Sequence, residues 1–150
     1  MSESLIRAQI YSILGGVTNI GKVYDYERWA DDWEAFINLF KTMISSKAQI
    51  RGWEIRRRAA PSVYDSNAEE VITHQYILKG YLAVEDASST EKTFNNLIEA
   101  IRTAFRFNFT LSGLCEMAGP ISAEIIEERM FGSVLCHYCE LSLPVKELNT

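Results

Sequence analysis

Cysteine, histidine and net positive charge are all in short supply in this chain. Three cysteines, an odd number, cannot close a complete disulfide framework and suit a reducing compartment. A formal charge of −5 removes any bulk attraction to nucleic acid or to an anionic membrane, and leaves open only a local basic patch. Long apolar runs are missing too: none approaches the roughly 20 residues of a membrane-spanning helix. Met1–Ser2–Glu3 lacks the basic start of a secretory signal. No G-x-x-x-x-G-K-[ST] loop, G-x-G-x-x-G turn or H-E-x-x-H helix is present, and there is no internal repeat or low-complexity tract. With 150 residues, 47% of them apolar and 23% charged, the expectation is one cytosolic, soluble domain spanning 1–150.

The plainest element is Ala87–Phe109. Ser88 and Glu91 have capping-box spacing, and Phe94, Leu97, Ile98, Ile101 and Phe105 recur at helical intervals opposite a polar face. An N-terminal helix is expected where Leu5, Ile6, Ile10, Ile13 and Leu14 precede Gly15–Gly16. A second long helix is expected over about Glu27–Ser45, from the repeat of Trp29, Trp33, Phe36, Ile37, Phe40, Met43 and Ile44 with Asp31, Asp32 and Glu34 in its early turns. That stripe has two readings: a buried helix, or one on which Trp29 and Trp33 face another subunit.

Ile50–Arg58 alternates as a strand, with Arg51, Trp53, Ile55 and Arg57 on one side. Ala59–Glu70, with Pro61, Asp65, Ser66 and Asn67, is expected to be an exposed arm or loop. Val71–Val84 returns to strand character, with Gly80 as a candidate bulge. Ile121–Arg129 fits either a strand or a short helix, and the strand is preferred because Met130–Phe131–Gly132 reads as a turn into Ser133–Val145. That last run is apolar on both faces and therefore central. Strands joined by hairpins and packed against segregated helices make an α+β domain: a mostly antiparallel sheet, a central amphipathic helix and additional N-terminal helices.

Chemical motifs are few. Cys136–His137–Tyr138–Cys139 has C-x-x-C spacing, but inside a strand residues three apart point to opposite faces, so the thiols should diverge as small buried side chains. A zinc site there would have to draw on Cys115, His74 and His137. Both histidines lie in strands, where a satisfied core residue is the commoner role, and no nucleophile can be tied to either. Glu85–Asp86 precedes a helix, and Glu127–Glu128 faces water. Arg56, Arg57 and Arg58, supported by Arg51, read three ways: a phosphate-binding patch, a charged strand edge, or one side of an intersubunit ion-pair network. Glu124, Glu127 and Glu128 are the complementary surface for the last reading.

The order of elements resembles the small tail-terminator and tail-completion proteins of long-tailed bacteriophages. The residues that carry the likeness are the Glu91–Phe94–Leu97–Ile98–Ile101 helix, the closing Leu141–Ser142–Leu143, Val23–Tyr24–Asp25–Tyr26–Glu27–Arg28–Trp29, Arg51–Gly52–Trp53–Glu54–Ile55, and His74 through Glu85–Asp86–Ala87. The resemblance implies a non-catalytic structural protein without a cofactor or metal. It would self-associate into a ring, typically a hexamer, cap the tail-tube protein and meet the head–tail connector or another neck protein. Such a protein works in the bacterial host cytoplasm during assembly and then in the virion tail, with no membrane partner and nucleic acid only as DNA in the lumen. Subunit-interface candidates are Arg56, Arg57, Arg58, Glu124, Glu127, Glu128, Trp29 and Trp33. Two other classes stay open: a small α+β enzyme or ligand-binding domain using His74, His137 or the cysteines, and a nucleic-acid binder using the arginine cluster.

Overall fold

The computed structural model describes residues 2–66 and 68–149, with the backbone alone at Ser2. Met1, and Asn67 of the expected arm, lie outside the described residues. Among those described, the order is α1 (Ser2–Gly15), β1 (Lys22–Tyr24), α2 (Trp33–Asn38), β2 (Lys41–Ile44), β3 (Lys47–Ala59), β4 (Ser62–Tyr64), β5 (Glu70–Ala83), α3 (Thr90–Arg106), β6 (Met117–Ala118), β7 (Ser122–Phe131) and β8 (Val134–Asn149). This is the expected α+β class. The sheet runs β1-β3-β5-β8-β6, with β2 on β3, β4 on β5 and β7 on β8. Every pairing is antiparallel except β1 with β3. Among the described residues, no helix is long and apolar enough to cross a membrane.

Strand alternation divides the core into two layers. On one face Trp53, Ile55, Tyr76, Leu78, Leu82, Leu141 and Leu143 meet Ile6, Ile10 and Leu14 of α1 and the whole Phe94–Phe105 stripe of α3. On the other, Tyr81, Tyr138 and Cys136 meet Ile37, Phe40 and Phe131, with Phe36 packed alongside. Glycines make two of these contacts possible. The Trp53 ring lies across Gly80, where a Cβ would come within 2.5 Å of it, and Phe40 lies across Gly52, where a Cβ would come within 2.3 Å. Trp53 then stacks on Phe94, with centroids 6.0 Å apart.

Four sequence expectations are corrected. The long Glu27–Ser45 helix does not form; α2 is six residues long. Lys41–Ile44 instead pairs with Lys47–Ile50 across Ser45 and Ser46, both at positive φ as in the tight turns that suit two-residue hairpins. Next, the Ser88–Glu91 capping box is not made. Ser88 donates to Glu85, Glu91 accepts from Asn95, and α3 begins one residue after Ser89, which is at φ 55°. Gly80 pairs regularly with Trp53 and Cys139, and the β3–β5 register shifts at Arg58 instead. Finally, the Ala59–Glu70 arm is exposed as expected, but Ser62–Tyr64 forms a strand on β5.

Gly80→Ala tests the two-layer packing. Trp53 has no room to retreat between Phe94 and the sheet, so overpacking should cost about 1–3 kcal/mol. Urea denaturation measures it, and an unchanged midpoint would contradict the packing described.

Candidate functional site

The segment from Glu27 to Trp33 crosses the sheet face opposite α3 and leaves a cleft of about 550 Å³ beneath it. Polar groups form its floor. Glu54 of β3 is 1% exposed, accepts from the Tyr81 hydroxyl at 2.7 Å, and accepts from the Arg28 backbone N–H at 2.9 Å. Lys79, directly across the ladder from Glu54, donates to Glu27 at 2.6 Å, and Arg56 approaches the same carboxylate at 3.6 Å. Trp33, Phe36 and Phe131 form one wall. Arg28 turns away over the Tyr24 and Tyr26 rings, at 4.4 and 5.1 Å. The loop is thus fastened by the buried Glu54 and a half-buried Glu27–Lys79 ion pair, yet Trp29 at its rim is 81% exposed.

Burial pushes the Glu54 carboxyl above its ordinary range. The Arg28 N–H, the Tyr81 hydroxyl and Lys79 pull it back, and Glu27 adds to the rise. The Tyr81 phenol is pushed up as well, first by burial and then by the Glu54 charge. Burial thus favours the neutral forms of Glu54 and Tyr81.

The arginine and glutamate candidates are split by the pleat. Arg57 projects on the α3 side and donates to His74 Nδ1 at 3.3 Å, while Arg56 is on the cleft side with Glu27. Arg58 sits at the β3 register shift. Glu124 occupies the matching irregularity of β7 and accepts from Ser142 at 3.0 Å. Glu127 pairs with Arg129 at 2.8 Å, and Glu128 reaches His137 at 3.3 Å. All three glutamates thus have partners within the chain. The exposed Glu127–Arg129 pair is worth about 0–1 kcal/mol, so a neighbouring surface can replace it at little cost.

Both histidines are buried and bonded. Because a guanidinium only donates, His74 Nδ1 accepts from Arg57, and the Nε2 proton goes to Glu147 at 2.9 Å. His137 lies between Glu128 and the Thr90 hydroxyl, which is 2.9 Å from Nε2. Thr90–His137–Glu128 has the order of a nucleophile, base and orienting acid. However, the Thr90 oxygen also accepts from the Glu85 N–H at 3.0 Å, and both Thr90 and His137 are buried. The hydroxyl is committed to tying the start of α3 to β8. Cys136 and Cys139 point to opposite faces, in separate core layers, and burial raises both thiols, Cys136 to about 11.

Searched against models of known protein families and against curated proteins, the sequence matches none.

A second cleft, about 470 Å³, runs under the end of α3 beside Met117–Ile121. Its Arg102 is already engaged, by the Ile121 carbonyl at 2.7 Å and by Glu99 at 3.4 Å. Sequence reasoning missed the Glu27–Glu54–Lys79–Tyr81 floor. The available signal was parity: Lys79 stands between Ile77 and Tyr81 on one face of β5, and Glu54, of opposite charge, falls directly across from it on β3.

The raised Glu54 carboxyl has a pH consequence. A group whose folded value lies above its unfolded value, 4.5, gives stability that is complete below 4.5 and is lost as pH rises through the folded value. Glu54→Gln should therefore flatten the loss of stability on raising pH from the acid range towards neutrality. Thermal melts across that range check this, and an identical slope in the variant would contradict it.

Proposed function

We propose that the chain is a non-catalytic structural protein of a bacteriophage tail. In this reading it self-associates into a ring that caps or completes the tail tube and joins it to the head connector. Its place is the bacterial host cytoplasm during assembly, and afterwards the virion tail. One observation carries the reading: large aromatic side chains stand uncovered on rigid elements. Trp29 stands on a loop fastened by a half-buried ion pair, and Tyr64, on a strand paired to the central sheet, is 79% exposed. Aromatic residues held rigid at a surface are the usual anchors of protein–protein contacts, because little side-chain freedom is lost when they are covered. The open strand β7, carrying Glu124, Glu127 and Glu128, and the exposed Arg56 and Arg58 supply charges of opposite sign for neighbouring copies.

A small ligand-binding domain is the second reading, favoured by the 550 Å³ cleft with its buried Glu54. Tail-tube elongation separates the two. Added to polymerising tube subunits of the same phage, the protein should halt growth at one end, seen as short capped tubes by electron microscopy. Arg56→Glu with Arg58→Glu should weaken capping while the far-ultraviolet spectrum stays unchanged. Tubes that grow to the same length with and without the protein would overturn the assignment.

A further inference from the structure

The sheet has open margins at both ends. Among the described residues β1 pairs only with β3 and β7 only with β8, so each keeps backbone N–H and C=O groups without a strand partner. The two margins share rows that cross the whole sheet. Lys22–Gly52–Tyr81–Tyr138–Glu127 is one, Val23–Trp53–Gly80–Cys139–Ile126 the next, and Tyr24–Glu54–Lys79–Glu140–Ile125 the third.

The outward-facing backbone groups follow from two hydrogen bonds. The Arg51 N–H donates to the Phe40 carbonyl at 2.8 Å, so Arg51 and, two residues on, Trp53 point away from β5; Trp53 then bonds Lys22 and Tyr24, and Val23 faces out. The Leu135 carbonyl accepts from the Val84 N–H at 2.9 Å, so the odd-numbered residues of β8 face β5 and the even-numbered ones face β7. Tyr138 therefore bonds Glu127, and Ile126 faces out. Val23 and Ile126 thus lie in one row, present their side chains on the α3 face, and have outward backbone groups. β1 is parallel to β3, and three antiparallel steps separate β3 from β7, so the two margins run in opposite directions. Direction, face, row and hydrogen-bond phase all suit an antiparallel pair of Val23 with Ile126 of another copy.

Charge selects the same register. Lys22 has no ion-pair partner among the described residues, and the pair sets it opposite Glu127. A shift of two residues along β7 would set Lys22 against Arg129, or bring Val23 to the irregularity at Glu124. A second β7 is a poor partner, because pairing about Glu127 or Glu128 puts like charges directly opposite each other.

We infer that β7 of one copy adds to β1 of the next, with Ile126 opposite Val23, so that the sheet continues from subunit to subunit. The inference rests on the self-association reading and names the surface through which it occurs. The exposed Ile126 and Met130 cover exposed Tyr11, which stands one turn along α1 from Arg7, whose guanidinium donates to the Asp25 carbonyl just past β1 at 2.9 Å. The margins differ, so the contact is heterologous; copies related by rotation alone keep their rows aligned and close a ring.

The test uses the full chain with Cys115→Ser; Cys136 and Cys139 are buried and leave no competing surface thiol. Lys22→Cys and Glu127→Cys are combined in one chain. Within it the two positions are four strand spacings apart, about 19 Å at about 4.8 Å each, beyond disulfide reach; in the intermolecular pair they are non-hydrogen-bonded neighbours with Cα atoms about 4.5 Å apart. Oxidation should give a ladder of 22–127 linked oligomers on a non-reducing gel, and neither cysteine alone should give more than a dimer. Separately, Lys22→Glu or Glu127→Lys should weaken self-association about fivefold, and the two together should restore it. Oligomers that form no 22–127 bond, or that resist both charge reversals, would overturn the strand pairing and leave self-association standing. A mass that stays at one chain, with and without tube subunits, would overturn both.

Discussion

The pairing of β5 with β8 is the constraint from which the other features follow. It runs without a register shift from Glu70 opposite Asn149 to Ala83 opposite Cys136. A slip of one residue would turn one strand over relative to the other, parting Leu78 from Leu141 and Lys79 from Glu140. With the register set, the face of Leu78 and Leu141 is apolar along its centre and must be covered, while the other is apolar around Tyr81, Tyr138 and Cys136 and turns polar at Lys79 and Glu140. α1 and α3 cover one. The other is covered only in part, by α2, Phe40 and Phe131. The cleft is the uncovered remainder of that second face, and Glu54 and Lys79 lie in it because the ladder sets them opposite each other.

What was legible in the sequence was whatever depended on a regular period. The α3 stripe, α1, the strand character of the three long central strands, the strand preference at Ile121–Arg129 and the divergence of Cys136 from Cys139 all follow from spacing alone. The Glu27–Ser45 segment misled because its apolar spacing fits a helix, while tertiary contacts offered more. Phe40 gains a flat seat on Gly52, Lys41–Ile44 gains a strand partner, and Glu27 and Arg28 gain partners on the sheet. Trp29, Trp33 and Met43, three members of the supposed stripe, end up exposed. The capping box failed for a related reason: the Thr90 hydroxyl, bonded to His137 and to the Glu85 N–H, organises the start of α3.

The candidate site was less legible than the fold, since it is a product of register across strands distant in the chain. Arg56, Arg57 and Arg58 are neighbours in sequence but divide between two faces, and only Arg56 among them reaches the cleft floor through Glu27. Of the two readings of the Trp29–Ile44 stripe, the buried helix does not hold, and Trp29 and Trp33 stand exposed at the cleft rim. Arg58 and Glu124 each fall where a strand register shifts, positions where a side chain is re-aimed out of the regular pleat.

The most direct test of the account is the native mass of the protein by light scattering over a concentration series, alone and with tail-tube subunits. A closed oligomer of fixed mass, or a monomer that converts to one on meeting the tube, is the predicted result. A mass that stays at the 17.1 kDa of one chain throughout, with tube subunits present, would contradict it.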